Sequence, residues 1–149
     1  MMIDLQSLKA LIDGNKYKVT ILSNASSFLY HSIENLNWLG FYILNDDTLY
    51  LGPFQGRIAC IEIPKGKGVC GNTILIDKPL VVDNVLEYPG HIACDSNSRS
   101  EICIPLHIEA KTYGLLDIDS PIFNRFDDSL KNELIEASKI IEEALAKAI

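Results

Sequence analysis

Between Leu36 and Ser120 the chain reads as short aromatic and β-branched runs broken by turn residues, several of them with unlike side chains at alternate positions, whereas on either side apolar residues recur every three or four. Period two is the signature of a β-strand and period 3.6 that of an α-helix, so the chain must build a sheet and cover it with helices from its two ends. Leu5, Leu8, Leu11 and Ile12 make a first helical stripe, Gly14 and Asn15 break it, and Val19, Leu22, Ala25, Leu29 and Ile33 carry a second to about Glu34. At the other end Leu130, Leu134, Ala137, Ile141, Leu145 and Ala148 line one face of a helix that begins near Asp127 or Asp128, both good N-caps.

The β stretch divides at its turn residues. NWLGFYIL, the turn at Asn45 to Asp47 and TLYLG predict a hairpin, and RIACIEI predicts a third strand. GKGVCGNTILIDKPLVVD reads as a glycine-led turn, a short helix and a short strand; Asn84 to Ser100 reads as an irregular loop. EICIPLHI and YGLLDID then flank a turn at Glu109 to Lys111. The expected architecture is one α+β domain over residues 1–149: helices in 1–35, about six mainly antiparallel strands with pocket loops in 36–120, and a helix in 127–149. With 149 residues, 48% of them hydrophobic, a single domain can bury a sizeable core.

Charge narrows the partners. Thirteen basic against twenty acidic residues leave a net charge of −7, which opposes a phosphate-binding surface and argues against nucleic acid. MMIDLQSLKA has neither a basic segment nor an apolar core, and no run of eighteen apolar residues occurs, so no membrane association and a cytoplasmic setting are expected. Permanent disulfides are rare there, so Cys60, Cys70, Cys94 and Cys103 call for another explanation.

Strand parity marks a candidate pocket. Trp38, Gly40 and Tyr42 share one strand face while Leu39, Phe41 and Ile43 share the other. Asp117 and Asp119 point together, opposite Leu116 and Ile118; Glu101 shares a face with Cys103, opposite Ile102 and Ile104. Two aromatics and three carboxylates on one face suit a small cationic ligand with an apolar body, although a solvated strand face alternates in the same way. The cysteines contain no C-x-x-C, which weakens zinc-ribbon and thioredoxin-motif readings, and no metal is expected. Cys94 sits in the loop sequence PGHIACDSNS, a more reactive setting than the ICIPL around Cys103. His91 is read as closing a turn, and GKGVCGN lacks the Gly-Lys-Ser/Thr ending of a nucleotide phosphate loop.

Taken together, NWLGFY (37 to 42), LGPFQG (51 to 56), GVCG (68 to 71), YPGHIACD (88 to 95), SEICIP (100 to 105) and LLDIDSP (115 to 121) resemble the free methionine-(R)-sulfoxide reductases, a family of single GAF domains. The resemblance implies a GAF fold, with the terminal helices on one face of the sheet and a loop-covered pocket on the other, in a homodimer. It also implies reduction of free, not peptide-bound, methionine sulfoxide through an enzyme disulfide recycled by thioredoxin, with no bound cofactor. In this resemblance Cys94 matches the attacking cysteine, and Cys60 and Cys70 match the resolving and recycling pair without a fixed division between them. Glu101, Asp117 and Asp119 match the pocket carboxylates, with Glu101 and Asp119 placed in the chemistry and Asp117 in substrate binding; Trp38 and Tyr42 match the aromatic wall. Cys103 departs from the family pattern, which has an aliphatic residue there. The rival reading is a non-enzymatic GAF module that binds a small molecule or senses redox state.

Overall fold

A computed structural model describes residues 3–92 and 94–149. Helices α1 (Leu5–Ile12) and α2 (Lys18–Ser32) lead into strands β1 (Trp38–Asn45), β2 (Thr48–Gly56) and β3 (Glu62–Pro64). Helix α3 (Gly68–Ile76), strand β4 (Leu80–Val82), a 3-10 turn at Val85–Glu87, strands β5 (Ser100–Ile108) and β6 (Lys111–Ser120), and helix α4 (Asp128–Ala146) complete the order. The six strands form one antiparallel sheet ordered β3-β2-β1-β6-β5-β4.

The alternation in the sequence becomes two cores, one on each side of the sheet. Leu39, Phe41, Ile102, Ile104, Leu116 and Ile118 meet α1, α2 and α4 in the larger core. Trp38, Tyr42, Cys103 and Leu115 face the other way, where Val69, Cys70 and Ile74 of α3 and Val85 cover them. Capping fits the local chemistry: the Asp127 carboxylate accepts from the Leu130 amide at 2.9 Å, and that of Asp4 accepts from the Ser7 amide at 3.0 Å. The β5–β6 turn is unusual, because Glu109 and Ala110 hold φ of 54° and 65° without a glycine.

Three sequence expectations are corrected. The third strand is only Glu62–Pro64; residues 57–61 form a loop in which Ile58 and Ile61 are exposed. That segment is held to other elements instead: Trp38 Nε1 donates to the Arg57 carbonyl at 3.0 Å, and the Leu51 amide donates to the Ile61 carbonyl at 3.0 Å. Leu11 and Val19 are exposed, and the buried stripe of α2 is Ile21, Leu22, Ala25, Ser26 and Leu29. α2 also stops at Ser32, where Ile33 takes extended backbone and a bend at residues 33–37 leads to the first strand at Trp38. No helix among the described residues is long and apolar enough to cross a membrane.

Candidate active site

Two rungs of the sheet build the floor. Across β1, β6 and β5, Trp38 lies opposite Asp119, which lies opposite Glu101; one rung along, Gly40 lies opposite Asp117, which lies opposite Cys103. Antiparallel pairing puts facing Cβ atoms about 5 Å apart, so Glu101, Cys103, Asp117 and Asp119 form one tight rectangle on a single face. Glu101, Asp117 and Asp119 are 5%, 6% and 8% exposed, a burial that ionised carboxylates tolerate only with partners.

The aromatic wall depends on Gly40. Trp38 stacks on Phe54 at 5.3 Å and on Tyr42 at 5.9 Å between ring centroids. A Cβ at Gly40 would come within 2.3 Å of Phe54 Cβ and 2.6 Å of the Trp38 ring, so only glycine leaves room for the stack. The polar tips of the wall are already committed: Trp38 holds Arg57, and the Tyr42 hydroxyl donates to the Cys60 carbonyl at 2.9 Å. Tyr42 therefore offers the cleft its ring and anchors the Cys60 loop with its hydroxyl.

Above this floor lies an open cleft of about 390 Å³, including its mouth, lined among others by Tyr42, Lys67, Cys70, His91, Cys94 and the three carboxylates. An adjoining lobe between Trp38, Tyr42, Ala59 and Cys94 shares Asp117 and Asp119 with it. Cys60 and Cys94 are joined in a disulfide across a Cα separation of 5.4 Å, which ties the 57–61 loop to the loop after His91. Cys60 itself lines neither lobe and reaches the site through this bond. Cys70 and Cys103 are free thiols, both buried, with their sulfurs 3.6 Å apart.

The electrostatics are dominated by crowded anions. Burial, then Asp117 and Asp119, pushes the Glu101 carboxyl well above its ordinary range, and burial, then Asp117 and Asp95, does the same to Asp119. Burial also raises Asp117, although thiol and carboxyl hydrogen bonds oppose it. The Cys103 contact favours the Cys70 thiolate, but burial and the neighbouring Asp117 and Asp119 outweigh it, and the Cys70 thiol is pushed up to about 12. Burial lowers His91, with Asp117 acting against it. The His91 amide donates to the Tyr88 carbonyl at 3.2 Å, closing the expected turn while its side chain lines the cleft.

Residue-by-residue reasoning missed Phe54, Asp95 and Ser98. Leu51 faces Tyr42 and Phe54 faces Gly40, so a bulge in β2 adds a residue between them and reverses the parity that simple alternation would give Phe54. Asp95 and Ser98 belong to a loop with no periodicity to read; Asn37 Nδ2 secures it, donating to Asp95 Oδ2 at 2.9 Å and Ser98 Oγ at 3.1 Å.

This geometry has close counterparts. The GAF domain family is matched over residues 17–145. The free methionine-R-sulfoxide reductase of Escherichia coli is 43% identical over 141 residues, covering 95% of this chain and 86% of that protein. The reduced form of a Staphylococcus aureus structure described as fRMsr superposes with a TM-score of 0.91 at 46% identity, over 97% of this chain and 96% of its own. A Neisseria meningitidis free methionine-R-sulfoxide reductase, solved in complex with its substrate, gives 0.91 at 37% identity, over 94% and 87%. The chain belongs to the free methionine-R-sulfoxide reductase family of GAF domains.

Proposed function

We propose that this protein reduces free methionine-(R)-sulfoxide to methionine, with Cys94 as the attacking thiol and Cys60 as the group that resolves it. The observation that carries the reading is the Cys60–Cys94 disulfide at the mouth of a cleft floored by three buried carboxylates. A sulfoxide sulfur becomes electrophilic when its oxygen is protonated, and Glu101, held protonated by burial and its anionic neighbours, is the proton donor. Cys94 then takes the sulfoxide oxygen as a sulfenic acid while methionine leaves, a two-electron exchange between the two sulfurs. The Cys60 thiol attacks the Cys94 sulfur, water departs and the disulfide closes.

The substrate's other groups match the remaining walls. The ammonium of a free amino acid pairs with Asp119 or Asp117, and its side chain lies along Trp38 and Tyr42. A peptide-bound residue has no such ammonium, which accounts for a preference for the free amino acid. Cys70 lines the same cleft and serves the later recycling step, in which thioredoxin returns two electrons and both thiols reform. No metal or organic cofactor takes part in these steps, the cytoplasm supplies the reductant, and the working assembly is a homodimer.

A thioredoxin-coupled assay with each sulfoxide diastereomer is the test. Turnover of the R form alone is expected in the wild type and its complete loss in Cys94→Ser; wild-type turnover by that variant would remove the mechanism. Cys60→Ser is expected to complete one stoichiometric reduction and then cycle slowly. If peptide mapping after one equivalent of substrate finds Cys94 bridged mainly to Cys70 or Cys103, the resolving role passes from Cys60.

A further inference from the structure

Cys103 has no part in the reaction proposed above, yet it is fully buried within the cluster that the reaction uses. Its sulfur lies 3.6 Å from Cys70 Sγ, 3.5 Å from Glu101 Oε2 and 3.3 Å from Asp117 Oδ1. Cys70 Sγ is 3.7 Å from the same Glu101 oxygen, and one donor atom from each of these four residues lies within 4.8 Å of every other. Zinc binds thiolate sulfur at about 2.3 Å and carboxylate oxygen at about 2.0–2.2 Å, which makes the edges of a zinc tetrahedron about 3.8 Å between sulfurs and about 3.5 Å from sulfur to oxygen. The four separations given for this cluster are close to those edges.

A second observation concerns charge. No ion pair among the described residues reaches Glu101, Asp117 or Asp119, although each is more than nine-tenths buried. Asp119, beside the cluster on the same rung as Glu101, has no side-chain hydrogen-bond partner among the described residues. The cationic side chains facing the cleft are Lys67 and, when protonated, His91. The carboxyl groups of the cluster thus have no cation of their own, and the thiols of Cys70 and Cys103 are the side-chain donors that reach Glu101 and Asp117 among the described residues. Cys70, Glu101 and Asp117 line the cleft, so an ion has a route in, and Cys103 closes the position beneath.

We propose that Cys70, Cys103, Glu101 and Asp117 form a binding site for a borderline-soft divalent cation of the zinc class. Two thiolates with two carboxylates in four-coordinate spacing select against magnesium and calcium, which take six or more oxygens. Binding releases the two thiol protons and the Glu101 carboxyl proton, and replaces the thiol-to-carboxyl hydrogen bonds of the cluster with one metal-centred set. Because Glu101 and Cys70 are then held by the ion, zinc acts as an inhibitor of turnover; this consequence alone rests on the reductase reading.

The test is a cobalt(II) titration of the oxidised protein, in which the Cys60–Cys94 disulfide leaves Cys70 and Cys103 as the only thiols. One equivalent is expected to produce thiolate-to-cobalt charge transfer and intense tetrahedral d–d bands, both abolished by added zinc. Cys103→Val should lose the tetrahedral spectrum while keeping its thioredoxin-dependent turnover, and its turnover should resist zinc. Glu101→Gln, which keeps the shape, should weaken cobalt binding at least about tenfold and decides the matter if the valine variant does not fold. Absence of the charge-transfer band in the wild type overturns the proposal, as does a tetrahedral spectrum unchanged in Cys103→Val or a cobalt affinity unchanged in Glu101→Gln. The spectrum requires no turnover, so failure of the metal site and failure of the reductase reading are read separately.

Discussion

Glu101 shows most directly how one residue's surroundings set its role. Burial and the neighbouring Asp117 and Asp119 push its carboxyl well above the ordinary range at the cost of folding stability, and in the proposed mechanism that shift suits it to donate the proton. Glu101→Gln is therefore expected to lower single-turnover reduction by about 10²-fold while raising resistance to urea. An unchanged single-turnover rate would pass the acid role to an aspartate or to water. Gly40 is the opposite case, a residue that works by having no side chain. Gly40→Ala must displace Trp38 or Phe54, and a loss of about 1–3 kcal/mol in urea denaturation is expected, with weaker substrate binding.

Among the elements, the β5–β6 hairpin carries both Glu101 and Cys103 on one strand and Asp117 and Asp119 on the other, so its register sets the floor of the cleft. Its turn puts Glu109 and Ala110 in left-handed backbone, which costs a residue with a Cβ about 1–2 kcal/mol. Ala110→Gly relieves part of that cost against a more flexible unfolded chain, and a net gain of about 0.5–1 kcal/mol is expected by thermal or urea unfolding, with activity unchanged. Destabilisation in that variant would contradict this account of the turn. The loops on either side of the disulfide depend on tertiary contacts instead: the 57–61 segment has strand-like composition, yet Trp38, Tyr42 and Cys94 hold it out of the sheet.

For the whole molecule, the three carboxylates tie stability to pH in the reverse of the usual carboxylate sense. Glu101 and Asp119 have ordinary values of 4.5 and 3.8 and are raised in the folded state, so their contribution is fully present below those values and is lost as pH rises through the folded ones. The urea midpoint of Glu101→Gln/Asp119→Asn should match the wild type most closely near pH 4 and exceed it increasingly towards neutral pH. A constant difference across that range would mean that these groups titrate normally. The sequence alone determined the order of helices and strands and which side chains share a face within each strand, Trp38 with Tyr42, Asp117 with Asp119 and Glu101 with Cys103, because period and parity are local properties of the backbone; strand order and register then brought these sets together. The bulge that turns Phe54 inward, the pairing of Cys60 with Cys94 and the meeting of Cys70 with Cys103 were decided only in three dimensions. Each depends on how segments distant along the chain pack together, and neither local periodicity nor cysteine spacing encodes those distances.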